Sequence, residues 1–141
     1  MIPVIERLEP LVGRWRSSGR TVDGVQIAGT DAYEWFPGGG FLVHHVDVQM
    51  GEDRVQVIEM IGDPDPTDGG RLRMRAFDDQ GGYGEMRASV DDAGVWTFAG
   101  DTMRTMLTID PDGKTMAAKW ERSPDGATWV DWMDMEFARE A

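Results

Sequence analysis

The feature that most restricts what this chain can fold into is its punctuation by Gly, Asp and Pro. Clusters recur at Val22 to Gly24, Pro37 to Gly40, Gly51 to Asp53, Pro64 to Gly70, Asp78 to Gly82, Asp91 to Gly94, Pro111 to Gly113 and Pro124 to Gly126. Each carries turn chemistry: Gly supplies positive φ, Pro presets the first turn position, and Asp bonds its own backbone two residues on. Between the clusters lie segments of about six to ten residues that alternate in polarity, as antiparallel strands with one buried face do. The spacing predicts strands over Gly13–Arg20, Val25–Phe36, Phe41–Met50, Arg54–Gly62, Arg71–Phe77, Tyr83–Val90, Val95–Gly100, Met103–Ile109, Thr115–Ser123 and Trp129–Arg139. Only Ile2 to Val12 has helical spacing, with Ile5, Leu8 and Leu11 or Val12 on one side, and Pro10 limits it to a turn or two.

About ten short strands joined in sequence by tight turns favour an all-β, up-and-down antiparallel meander, and closing it into a barrel removes the exposed edges. An open sandwich is the alternative arrangement. No composition shift, internal repeat or low-complexity tract divides residues 1–141, so a single domain with a short N-terminal helix is expected. A chain of this length buries roughly two thirds of its unfolded surface and needs no disulfide or metal to fold.

Composition then removes whole classes of function. There is no cysteine, which excludes thiol nucleophiles, redox pairs and cysteine-ligated metals, and the two histidines, His44 and His45, are adjacent. No metal site is expected; Asp63, Asp65 and Asp68 lack the spacing of a calcium loop. The 14 Lys and Arg stand against 26 Asp and Glu, a formal net charge of −12 that repels phosphate backbones and anionic lipids. Neither nucleic acid nor a membrane is an expected partner. Met1 to Val12 contains Glu6, Arg7 and Glu9 and lacks the pattern of a secretory leader, and no run is apolar enough to span a bilayer, so a cytoplasmic location is expected.

Hairpin register assigns the faces, since a slip of one residue would expose the apolar set. With Glu52-Asp53 as the loop, Met50 faces Val55, Val48 faces Val57, Val46 faces Glu59 and His44 faces Ile61, an almost wholly apolar side. Continuing back through Pro37 to Gly40 sets Trp35 opposite Leu42 and Tyr33 opposite His44. At the far end, the Pro124 to Ala127 loop sets Arg122 against Trp129, Trp120 against Asp131, Ala118 against Met133 and Met116 against Met135. Leu72, Met74 and Ala76 point inward with Met86, Ala88 and Val90, leaving Arg71, Arg73, Arg75 and Arg87 on a solvated outer ridge. The interior is thus lined by Met, Trp, Val and Leu with a few polar groups: Tyr33, His44, Glu59, Arg122, Asp131 and the indole N–H of Trp120. A barrel of about ten strands encloses more volume than ordinary side chains fill, so a cavity is expected.

Gly13-Arg14-Trp15, placed at the start of the first strand behind a short helix or turn, resembles the calycin superfamily of lipocalins, fatty-acid-binding proteins and nitrobindin-like barrels. The segment Leu8 to Trp15 is most similar to the opening of nitrobindin-like and related bacterial lipocalin-like domains. The resemblance implies a closed barrel, a Trp packed across one end near the helix, and a ligand in the lumen. It does not extend to haem: the nitrobindin-like iron ligand is a histidine late in the chain, and nothing after His45 matches it. No equivalent of the basic pair that holds carboxylates in fatty-acid-binding proteins is evident either. No cofactor is expected.

The leading expectation is therefore a barrel that binds a small hydrophobic or aromatic molecule, contacted by Tyr33, Trp35, His44, Glu59, Trp120, Arg122, Asp131 and Met133. A second is an isomerase or cyclase of the same fold. His44 and Glu59, diagonal neighbours about 7–8 Å apart by backbone, are within reach of a side-chain hydrogen bond. A carboxylate there would raise the imidazole pKa, making His44 a general base with Tyr33 as proton donor. The bland alternative is a satisfied polar pair inside a binding cavity. A third expectation is a homodimeric interaction module with Trp132 and Trp96 exposed on its face.

Overall fold

The structure, a computed structural model, describes residues 3–141. Ile2, where the predicted helical stretch begins, lies outside the described residues. Ten strands follow one another in chain order: β1 (Gly13–Thr21), β2 (Gln26–Trp35), β3 (Phe41–Met50), β4 (Asp53–Pro64), β5 (Leu72–Asp78), β6 (Tyr83–Val90), β7 (Trp96–Ala99), β8 (Met103–Ile109), β9 (Thr115–Arg122) and β10 (Val130–Arg139). Every strand pairs antiparallel with its sequence neighbour, and β1 also pairs with β10, so the meander closes into a barrel and the sandwich alternative falls away. Before β1, Val4–Leu11 forms a 3-10 helix, a tighter winding than the α-type spacing suggested, with Pro10 inside its last turn. No described helix is long and apolar enough to cross a membrane.

That helix plugs one end of the barrel. Leu8, Leu11 and Trp15 are completely buried, together with Leu42, Ile61, Leu72 and Trp96 from the strand ends around them. The Trp15 indole donates to the Leu11 carbonyl at 2.9 Å, and the Arg139 guanidinium lies 4.2 Å from the centroid of the Trp15 ring. Arg139 also donates to the carbonyls of Pro10, Val12 and Gly113, tying the last strand, the helix exit and a turn into one clamp. This arrangement explains Gly13. Its φ is +134°, and a Cβ there would come within 2.3 Å of Arg139 Nη1, so a side chain would displace the clamp.

Two irregularities change the predicted register. The β3–β4 turn consists of Gly51 and Glu52 alone, so Met50 pairs with Asp53, Val48 with Val55, Val46 with Val57, His44 with Glu59 and Leu42 with Ile61. The expected pairs were two residues out of step, which keeps every side chain on its face but sets His44 directly opposite Glu59 instead of diagonal to it. In β10 a bulge falls between Asp131 and Met133, so Trp120 pairs with Met133 and Ala118 with Met135, while Asp131 pairs with Glu121. An inserted residue reverses face parity beyond it. Asp131 is accordingly an outer residue, exposed and 4.0 Å from Lys119, which corrects its assignment to the lumen.

Candidate functional site

The barrel interior holds a chain of polar side chains from β1 to β4. Tyr33 on β2 pairs with His44 on β3, and His44 pairs with Glu59 on β4, which places the three in one row across the sheet. The Tyr33 ring stacks on the imidazole with centroids 4.0 Å apart and planes 9° from parallel. His44 Nδ1 lies 3.0 Å from Glu59 Oε1, and His44 Nε2 lies 2.7 Å from Asp31 Oδ1. Asp31 in turn accepts from the hydroxyl of Ser17 on β1. Asp31, Glu59, Tyr33 and Ser17 are all buried.

Both imidazole nitrogens therefore face carboxylate oxygens, and both can donate only if the ring is protonated. Burial alone would oppose that charge. The hydrogen bonds and fields of Asp31 and Glu59 outweigh it and lift the His44 pKa from 6.5 to about 9. Burial, reinforced by the two carboxylates, pushes the Tyr33 phenol well above its usual range and keeps it neutral. The raised pKa favours the imidazolium form of His44 between Asp31 and Glu59. A general base needs a free, unprotonated nitrogen, and His44 has none in this arrangement. The general-base role expected of His44 does not fit this arrangement.

The rest of the wall is apolar and unequally covered. Continuing the same row, Glu59 pairs with Ala76, and Ala76 with Gly84. A Cβ built on Gly84 would point inward from this row and meets nothing within 4 Å. Gly84 is itself exposed, one place from the start of β6, so this space opens to solvent at the rim. At the end opposite the helix, Met50, Val55, Met86, Trp120 and Met133 are only half-buried, and Met103 is 37% exposed. His44, on the inner face, keeps 14% of its side-chain surface accessible.

The other expected site residues separate into groups. Trp120 and Met133 pair across β9 and β10 in the open half of the barrel, packed against the core. Trp35 belongs to the plugged end, where its indole donates to Glu9 at 2.6 Å and anchors the 3-10 helix. Arg122 sits at the last position of β9, exposed on the open rim with its guanidinium 5.4 Å from the Trp132 ring, rather than inside. Trp96 is 1% exposed and packs inside against Phe98, so it cannot form a dimer face; Trp132 is half-buried, edge-on to Trp120. The arginine ridge is outward as expected, and its partners are the nearby aspartates. Arg73 and Arg75 meet Asp63, Arg87 approaches Asp65, and Arg71 pairs with Asp68.

Two members of the cluster, Asp31 and Ser17, were not anticipated. Both were legible by parity: Asp31 is two residues from Tyr33 and four from Trp35, and Ser17 is two from Trp15. A separate depression of about 890 Å³ lies on the outside of the same strands, lined by Ala32, His45, Ile58 and Phe77.

No family model matches the sequence, and no curated protein matches it. Solved structures do. Rv2717c from M. tuberculosis superposes with a TM-score of 0.70 at 14% identity, covering 100% of this chain and 99% of that one. A de novo designed fluorescence-activating β-barrel gives 0.54 at 13% identity over 99% of this chain and 100% of the design. EF1p2_mFAP2b bound to DFHBI gives 0.55 at 9% identity over 97% of this chain and 99% of that one. At these identities the likeness is one of fold, and the fold is a closed antiparallel barrel of ten strands traversed from end to end.

Proposed function

We propose that this protein binds a small hydrophobic or aromatic molecule in the barrel lumen, admitted through the end lined by Met50, Met103, Trp120 and Met133. Tyr33, His44 and Glu59 supply the polar contacts. The observation that carries this reading is the inward row of Tyr33, His44 and Glu59, which lies below an end of the barrel where Met50, Trp120 and Met133 are only half-buried. An apolar enclosure with a few convergent polar groups is the usual form of a small-molecule site, and methionine suits a lining that must adapt to an irregular shape. Among the similar folds, one is described as fluorescence-activating and another as bound to DFHBI, which supports small-molecule binding by a barrel of this build. Membership of the calycin superfamily belongs to the same proposal. Its support is the Gly13-Arg14-Trp15 motif, with Trp15 buried across the barrel end beneath the helix.

Native mass spectrometry of the protein purified from its own host tests the reading directly, with a retained organic molecule as the expected result. Gly84→Leu provides the control. It fills space that is open, so the unfolding midpoint should hold while the ligand is lost. A protein that carries no ligand and quenches no tryptophan fluorescence with any small aromatic probe would overturn the proposal.

A further inference from the structure

The charge balance of the buried row narrows the ligand class, on the footing that the lumen is a binding site. Asp31 and Glu59 are two acidic side chains set against one basic side chain, His44, inside the barrel. The acceptors are unevenly used. Asp31 engages both its oxygens, one with His44 and one with Ser17. Glu59 engages only Oε1, and its second oxygen accepts no hydrogen bond from any described residue. The Tyr33 hydroxyl is likewise without a partner among the described residues. Neither atom is sealed off, because no fully buried side-chain polar atom lacks a partner among the described residues. Both must therefore border accessible space, although Glu59 and Tyr33 are each only 6% exposed.

Other inward-register cations are committed elsewhere. Arg139 is held at the plugged end by three carbonyls and Trp15, and Arg122 is exposed at the rim against Trp132. A carboxylate with one free oxygen, in a low-dielectric wall and without a neutralising neighbour on that side, selects a positively charged donor and rejects an anion. The net charge of −12 over the whole chain attracts cations to the mouth in the same sense.

We infer that the lumen is built for an apolar or aromatic molecule bearing a protonated nitrogen, whose N–H donates to the free oxygen of Glu59 beside the Tyr33 hydroxyl. The adjoining wall, at Ala76 and Gly84, carries nothing larger than a methyl group and gives the apolar body its room. Carboxylate ligands such as fatty acids are excluded by the same charge.

A matched series tests this: naphthylmethylamine, naphthylmethanol and naphthoate share one ring system and differ in charge. Titrated against intrinsic fluorescence, the amine should bind at least about tenfold more tightly than the alcohol, and the carboxylate least. Glu59→Gln keeps the shape and removes the charge, so it should abolish the preference for the amine while sparing the alcohol. Circular dichroism of that variant verifies that it is folded; should it fail to fold, the ranking of the three probes on the unsubstituted protein still decides. Equal binding of all three would overturn the charge inference and leave the lumen site standing. Binding of none would overturn the lumen site itself.

Discussion

The two ends of this barrel use the same kinds of residue and reach opposite outcomes. At the plugged end, Leu8, Leu11, Trp15, Leu42 and Leu72 are wholly buried. At the other, Met50, Met86, Trp120 and Met133 are half-buried, and Met103 is more exposed still. Strand alternation does not separate the two, since inward parity is kept along nearly every strand. The difference is that Val4–Leu11 folds over one opening, whereas at the other Ile27 is buried but Met50, Met86, Trp120 and Met133 are not fully covered. One end therefore supplies stability and the other leaves inward apolar surface to be covered by something else, which is what an entrance to a binding site requires.

The largest expected effect tests that contrast by truncating one tryptophan at each end. Trp15→Ala removes a fully buried ring, its hydrogen bond to Leu11 and the surface on which Arg139 lies, and should cost about 3–5 kcal/mol in chemical denaturation. Trp120→Ala, from a half-covered position, should cost about half of that or less and should remove the fluorescence response to a lumen ligand. Equal losses from the two would mean that the open end is packed as a core and is not an entrance.

The next effect belongs to the cluster between the ends. The His44 pKa rises from 6.5 to about 9 on folding, so its contribution to stability is fully present below pH 6.5 and is lost as pH climbs through 9. The size is roughly 3 kcal/mol at one pKa unit per about 1.4 kcal/mol. Unfolding free energy measured from about pH 6 to about pH 10 should fall accordingly, and Asp31→Asn, which weakens the hold on the proton, should flatten that decline. A profile with no decline, or one identical in the variant, would remove the imidazolium from the account.

How far these features were readable before the fold was known depends on which rule governs each. Strand positions and inward faces followed from turn residues and a period of two, and those held for Tyr33, His44, Glu59, Met74 and Met86 because a register error of an even number preserves the face. That is why the β3–β4 hairpin kept its faces despite a turn of only Gly51 and Glu52, and why His44 and Glu59 still met, directly instead of diagonally. The β10 bulge was different. Nothing in Val130-Asp131-Trp132-Met133 marks an inserted residue, and an odd shift sends Asp131 to solvent. Asp31 shows a third rule: parity places it inward, two residues from Tyr33, but its charge argues for solvent until its partners His44 and Ser17, from two other strands, are placed around it.

The open rim offers a smaller effect. Met103 is 37% exposed, so Met103→Ala should cost about 1 kcal/mol or less, while weakening lumen binding by loss of lining. A stability loss as large as that of Trp15→Ala would place Met103 in the core.

The smallest effect comes from charges that look, in the sequence, much like those inside. Asp63 lies at a β4 bulge with φ of +58° and receives Arg73 at 2.6 Å and Arg75 at 3.1 Å, which hold its carboxyl below the usual range. Asn tolerates that left-handed backbone nearly as well as Asp does, so Asp63→Asn removes the charge and leaves the chain path. Water screens these groups, and exposed ion pairs contribute little on that account. The substitution should shift the unfolding midpoint only slightly, and added salt should erase the shift because screening already does what the mutation does. Asp31→Asn, shielded in the lumen, should remain destabilising in the same salt. If the two aspartates respond to salt alike, burial is not what distinguishes them, and the special status assigned to the interior row would have to be given up.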